Sequence, residues 1–229
     1  MALILQLETS SDICSVALGK DGICISSADS HDINSHSEKL TLLILECMQK
    51  VHISIKDMDA VCVSGGPGSY TSLRVGISVA KGICYTLGIP LLAIDSLDIL
   101  SEGIVKDKIS QYDYIIPMID ARRMEIYHNI ISANGQKIVE TTPIILEADP
   151  FATYISSGNK LHICGNGAQK YYDSFSSNNL MLHHTTTSAI FMTQKAYTLY
   201  LSKVFENVFS YTPNYLKAPN ITKSQKKLL

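Results

Sequence analysis

Three short stretches of this 229-residue chain carry residue types able to do chemistry. The first is Glu8, Thr9 and Ser10, an acid and two hydroxyls closing an apolar run. Such a set can hold metal-bound water or an anion; it equally serves as turn residues capping two strands. The second is Gly65-Gly66-Pro67-Gly68-Ser69. Closely spaced glycines let backbone N–H groups face a phosphate at a helix start. The competing reading is a tight strand-to-helix turn needing positive φ. No Gly-Lys-Ser/Thr follows, so the loop is not a P-loop, and no Gly-x-Gly-x-x-Gly is present. The third stretch is Asp120, Arg122 and Arg123, able to hold a phosphate or another subunit, or to form an ion pair across a hairpin.

Other chemistries find no support. His31 and His36 are five apart, His183 and His184 are adjacent, and His52, His128 and His162 are isolated. None makes a His-x-x-x-His or His-Glu-x-x-His face, so these read as structural or exposed histidines, with no metal site. Cys14, Cys24, Cys47, Cys62, Cys84 and Cys164 include no Cys-x-x-Cys pair and read as small buried hydrophobes with free thiols. Gly68-Ser69-Tyr70 lacks both flanks of a Gly-x-Ser-x-Gly nucleophile elbow.

The elements that must position these residues follow from periodicity. Leu3 to Glu8, Ile13 to Leu18 and Ile23 to Ala28 read as strands, with Lys20-Asp21-Gly22 as hairpin chemistry. Ser35 and Glu38 match a capping box ahead of a helix reaching Lys50. Ala60 to Val63 is a short strand, Thr71 to Leu87 a helix stopped by Gly88 and Pro90, and Leu91 to Ile94 a buried strand. The order β-β-β-α-β-α-β resembles the ribonuclease-H-like half-domain of actin, Hsp70 and sugar kinases. Ser96 to Gly103 reads as helical. The polar Lys106-Asp107-Lys108 then suggests a boundary, giving lobes at 1–104 and 105–229. Strands at Tyr114 to Ile119, Met124 to Ile131, Gln136 to Glu140 and Leu161 to Cys164 restart the pattern, with a turn at Asn134-Gly135. Helices around 149–156 and 188–204 are expected to complete this second, reduced α/β lobe, before a basic, solvated tail carrying Lys223, Lys226 and Lys227.

Composition bounds the rest. Hydrophobic residues are 46% and charged residues 17%, as in a folded core rather than a disordered chain. Lys plus Arg number 19 and Asp plus Glu 21, too balanced to coat nucleic acid unaided. No apolar run approaches the roughly 20 residues that span a bilayer, and the start lacks a basic signal-peptide region. A cytoplasmic protein without membrane contact is expected.

The two helices of the first half carry apolar residues over more of their circumference than one buried face needs. In the second helix the charged residues are Arg74 and Lys81, about two turns apart. Leu73, Ile77 and Ala80 form one apolar stripe; Val75, Gly76, Val79 and Ile83 form another. In the first, Leu42 and Leu45 lie off the main stripe that includes Met48. Either a partner packs here or both helices are buried within the chain.

Several fixed spacings together resemble one family. They are Leu5 to Ser10, His36 to Leu40, Gly65 to Gly76, Ala80-Lys81-Gly82, Gly88 to Leu91 and Asp120 to Arg123. The family is TsaB, also called YeaZ, a subunit of the bacterial machinery for N6-threonylcarbamoyladenosine at position 37 of tRNAs reading A-starting codons. The resemblance is dense over the first 100 residues and thin beyond. It implies two ribonuclease-H-like lobes and a non-catalytic scaffold that binds and activates the TsaD transferase through the two helices as a four-helix bundle. The interface would involve Leu42, Leu45, Met48, Leu73, Arg74, Val75, Gly76, Val79, Lys81 and Ile83. It also implies a TsaE-like ATPase near the junction, a homodimer when TsaD is missing, tRNA reached through the complex, and ATP or ADP at the complex interface. TsaD carries a His-x-x-x-His metal pair; the aligned positions here are Ser96 and Leu100, and leucine cannot bind a metal. The anion or nucleotide contacts would be Glu8, Thr9, Ser10, Gly66, Gly68, Ser69, Asp120, Arg122 and Arg123, the last three also suited to a tRNA backbone. The alternatives are a stand-alone ATP-dependent kinase of the actin-like group, or a metal-dependent hydrolase for which the sequence offers no ligands.

Overall fold

The computed structural model describes residues 1–32, 35–104, 109–155, 158–175 and 177–217. The basic tail beyond 217 and the polar stretch 106–108 lie outside these residues. The alternating apolar pattern at the start forms β1 (Leu3–Glu8), paired antiparallel with β2 (Cys14–Lys20), which pairs with β3 (Ile23–Ser30). Then come α1 (His36–Lys50), β4 (Ala60–Ser64), α2 (Tyr70–Leu87), β5 (Leu91–Ile94) and α3 (Ser96–Glu102). The first sheet has the order β3-β2-β1-β4-β5, with β1, β4 and β5 parallel.

The second half repeats this plan. β6 (Tyr114–Asp120), β7 (Glu125–Ser132), β8 (Lys137–Ile145), α4 (Ala152–Ile155), β9 (Leu161–Cys164), α5 (Ala168–Ser174) and β10 (Leu180–His183) follow in sequence. Their sheet is ordered β8-β7-β6-β9-β10, strand for strand the order of the first. The chain is an α/β protein of two ribonuclease-H-like lobes, the second with shorter helices. Pro143 falls inside β8, tolerated because β8 is an edge strand.

The last helix, α6 (Thr193–Leu201), overturns one expectation. It does not complete the second lobe. Ala189, Met192 and Ala196 pack with Ala2, Ile4, Ala17 and Ile94 on the first sheet. Conversely α3 sends Leu97 and Leu100 against Ile115, Ile119 and Ile131 of the second sheet, while its Ile99 joins the first-sheet cluster. Each lobe thus covers one face of its sheet with its own two crossover helices and the other face with an element from the opposite side of the 104/105 division.

The expected capping box also fails. The Ser35 hydroxyl donates to the Asp32 carbonyl (2.6 Å), so it makes no cap bond to α1. The reciprocal box occurs instead at Ser54 and Asp57, around a single 3-10 turn. α2 starts and stops as the sequence reads, with Ser69 accepting from the Ser72 amide and Gly88 in the left-handed region at φ 68°. All six cysteines are free, and burial pushes their thiols up.

Candidate functional site

The carboxyl ends of β1 and β4 in one lobe and of β6 and β9 in the other open onto a shared cleft of about 630 Å³. That is the place and size usual for a small-molecule site in an α/β fold. Ser10, Gly68 and Ser69 line one wall; Asp120 and Arg122, more than a hundred residues on, line the other. Two of the three stretches singled out from sequence therefore meet the third across this cleft.

The remaining candidates are placed differently. Glu8 is fully buried behind the wall. Its Oε1 accepts from the Ser10 amide and the Ser10 hydroxyl, both at 2.6 Å. Its Oε2 is buried with no partner at hydrogen-bond distance. Burial pushes the carboxyl up to about 7; the Ser10 bonds, and more weakly the Ser64 and Thr187 hydroxyls, only soften that. Thr9 is buried too, its hydroxyl pressed on Gly76, where a Cβ would stand 2.3 Å from Oγ1. Gly66, at φ 94°, faces away from the cleft toward Asn214. Glu8, Thr9 and Gly66 therefore offer no surface to a ligand in the cleft as it stands.

The glycine loop is shaped by contact. Gly68 packs so tightly on Ser10 that a Cβ would lie 2.3 Å from its carbonyl oxygen, and the Ser69 amide donates to that oxygen (2.8 Å). This satisfies the turn reading, and it spends the Ser69 N–H within the chain.

Asp120 makes a different ion pair from the one expected. Its carboxylate pairs with Lys170 of α5, not with a neighbouring arginine, and also accepts the Arg122 amide at 2.7 Å. Arg122 and Arg123 are exposed, with φ of 68° and 53°. Arg122 reaches the cleft; Arg123 does not line it.

The helix residues also sort by burial. Leu42 and Leu45 of α1 are 61% and 51% exposed, with Met48 half-buried beside them. Val75, Val79 and Ile83 are half-buried against the first-lobe core. Leu73 is buried against the core and Gly76 against Thr9, so neither reaches the surface, a correction set by the helix's rotation. Arg74 and Lys81 are engaged within the chain by residues 204–217. Ser96 is buried, and Leu100, one turn on, is buried at the cleft floor.

Two polar clusters escaped the sequence reading. Asp98 accepts from Asn129 (3.0 Å) and pairs with Lys137 of β8 and Lys195 of α6, tying both lobes to α3. Burial alone would raise Asp98, but Lys195 and Lys137 outweigh it and hold the carboxyl below its usual value. In the second sheet the His162 ring spans Asp113 (3.2 Å) and His183 (2.9 Å). Only strand pairing reveals these neighbours. Among the described residues no group of three or more His, Cys, Asp or Glu is placed to hold a metal ion.

Comparison with known proteins bears on identity. The family model described as "TsaD: tRNA N6-adenosine threonylcarbamoyltransferase" matches residues 30–222. A Buchnera aphidicola relative named tRNA threonylcarbamoyladenosine biosynthesis protein TsaB is 31% identical over 136 residues, 59% of this chain and 60% of that one. The Bacillus subtilis protein of that name is 26% identical over 141 residues, 61% of this chain and 59% of its own. The match thus spans no more than about three fifths of these curated relatives. A solved structure titled "YeaZ from Pseudomonas aeruginosa" superimposes with TM-score 0.77 over 94% of this chain and all of that one, at 20% identity, a likeness of fold. By the family match and these relatives, the chain belongs to the TsaB/YeaZ family, within the wider group that the TsaD model describes.

Proposed function

We propose that this chain is a non-catalytic subunit of tRNA threonylcarbamoyladenosine biosynthesis that binds and activates a TsaD-like transferase. The observation that carries the reading is the exposed pair Leu42 and Leu45 on α1. One exposed leucine needs no explanation, but two a turn apart do. Leu45 and Met48 also run into a shallow apolar groove with Ile53 and Ile55. The docking surface is then Leu42, Leu45 and Met48, with Val75, Val79 and Ile83 at its edge.

In this reading TsaD carries the transfer of threonylcarbamoyl to adenosine-37 of tRNAs reading A-starting codons, and this chain holds it competent. A TsaE-like ATPase, tRNA, and ATP or ADP at the interface belong to the same proposal. So do a homodimer in the absence of TsaD, a cytoplasmic location, and a lobe division near residue 104. No helix among the described residues is long and apolar enough to cross a membrane.

Light scattering on the chain mixed with the TsaD-like subunit of the same cell tests this. A species at the summed mass is expected, weakened on the order of tenfold or more by Leu42→Lys with Leu45→Lys. A double variant that binds as tightly as the parent overturns the assignment.

A second reading, a nucleotide-using enzyme acting alone, is favoured by the interlobe cleft. Against it stands Glu8, sealed behind Ser10 and unable to reach a ligand unless the hairpin moves. ATP turnover by the purified chain, abolished by Glu8→Ala, would establish it.

A further inference from the structure

The charged residues of α2 grip the chain's own residues 204–217. Lys81 Nζ donates to the carbonyl oxygens of Phe209 (3.0 Å) and Tyr211 (3.2 Å). Arg74 Nε donates to the Tyr215 hydroxyl (2.9 Å), and the Tyr215 ring stacks on Tyr70 at 4.3 Å. Backbone bonds fix the same segment from below. The Glu206 amide donates to the Leu91 carbonyl and the Asn214 amide to the Gly65 carbonyl, both at 2.8 Å. Gly66 is required beneath it, since a Cβ there would meet the Asn214 carbonyl oxygen at 2.7 Å.

Past Asn214 the segment reaches the cleft, where Tyr215, still against α2 of the first lobe, and Lys217 form part of the wall. Lys217 pairs there with Glu125 of β7, in the opposite lobe. The segment is therefore fastened unequally. Its first part is held by backbone hydrogen bonds to β5 and the glycine loop. Its cleft end is held by a tyrosine stack, one arginine and one ion pair, mostly at the surface. Such surface contacts are weak and screened by salt, the kind that gives way first in local opening while packed sheets stay folded.

We propose that residues 204–217 are a strap whose end, Tyr215 to Lys217, bridges the interlobe cleft and restricts access to its buried wall, and that Arg74 and Lys81 are the positioning residues that hold it down. This goes beyond the partner-binding role and does not depend on it.

The test uses the full chain and two readouts, peptide-resolved hydrogen exchange and thiol labelling of a reporter at Thr187→Cys, a buried position on the cleft wall. Lys81→Ala is expected to speed exchange of the Tyr211 and Asn214 amides on the order of tenfold. Arg74→Ala is expected to speed labelling of the reporter several-fold and leave the Asn214 amide protected. Both variants keep the β1 and β4 amides protected. Labelling that is the same with and without Arg74 overturns the strap as a restriction on access. An Asn214 amide that exchanges at a free peptide's rate in the parent chain overturns it as a docked element. Should Arg74→Ala expose the β1 amides, Tyr215→Phe, which removes only the hydroxyl, takes its place, and unchanged labelling in that variant overturns the proposal equally.

Discussion

The two lobes share element order and strand order, yet they differ where it matters chemically. In the first, α1 and α2 run 15 and 18 residues; their counterparts α4 and α5 run 4 and 7. Each lobe also ends its first strand near an acid, Glu8 or Asp120, which accepts the amide two residues on. The pleat shows that these acids are not equivalent. Leu5 and Leu7 face α1 and α2, so Glu8 points to the other face of its sheet. Ile116 and Met118 face α4 and α5, so Asp120 points toward those helices and meets Lys170 of α5. Near the end of β6 the residue that shares Glu8's orientation is Ile119, packed on α3. A carboxyl thus sits in the first lobe where the second keeps hydrocarbon, and Thr9 sits where the second places its acid. One topology has been filled with opposite polarity at the same two positions, which makes Glu8 the costly residue and Asp120 the dispensable one.

The exchange of helices between lobes is the strongest point at which to break the comparison. If α3 fastens the second sheet to the first, damage to it lowers both lobes together. Leu97 is fully buried in the cluster with Ile115, Ile119 and Ile131. Leu97→Ala is expected to cost about 2–5 kcal/mol, lowering Tm by roughly 4–20 °C at about 2–4 °C per kcal/mol for a chain of this size. Calorimetry should show one cooperative transition shifted as a whole. Two transitions, with only one moved, would mean that the lobes are independent.

The next effect sharpens the polarity argument through pH. Glu8 holds its proton up to about 7 in the folded chain, against 4.5 as the ordinary value. Below the lower value both states are protonated and there is no penalty for burying a charge. Between the two values the folded state binds more protons than the unfolded, so stability falls as pH rises. Above about 7 the full deficit is present, on the order of 3 kcal/mol at 1.36 kcal/mol per unit. Glu8→Gln keeps an acceptor for Ser10 and removes the charge. Urea melts are expected to find the variant no more stable than the parent at pH 4 and more stable at pH 8. A gap that does not widen with pH would show that the Glu8 cavity tolerates the charge.

Much of this was legible in the sequence because it is local. Leu91 to Ile94 reads as a strand from its apolar run and is β5 to the residue. Gly88 stops α2 because it alone takes the left-handed conformation without strain. The stretches expected to hold an anion do converge on one cleft. What stayed hidden depends on long-range pairing. Nothing in the amphipathic pattern of 188–204 says which sheet that helix covers. The strap has no period to read, so Arg74 and Lys81 looked free for a partner. Ser35 satisfied the pattern of a capping box while its hydroxyl found Asp32 instead. The misplaced Glu8 has the same origin, since chain order fixes its neighbours but only the pleat fixes its face.

The smallest effect is expected at the acid of the second lobe. Asp120 is partly exposed, and its ion pair with Lys170 stands at the cleft's edge. Surface pairs of this kind contribute about 1 kcal/mol or less. Asp120 also accepts the Arg122 amide, and that bond helps hold Arg122 at φ 68°. Asparagine keeps an acceptor oxygen for the amide and gives up the charge, so Asp120→Asn isolates the ion pair from the turn. A loss of under about 1 kcal/mol, shrinking further in high salt, is the expected result. Asp120→Ala, which removes both functions, is expected to lose more, and the excess measures the turn. If Asp120→Asn were as damaging at every salt concentration as a buried-core change, Asp120 would be a structural residue like its counterpart Thr9, and the opposite polarity of the two lobes would carry no difference in stability.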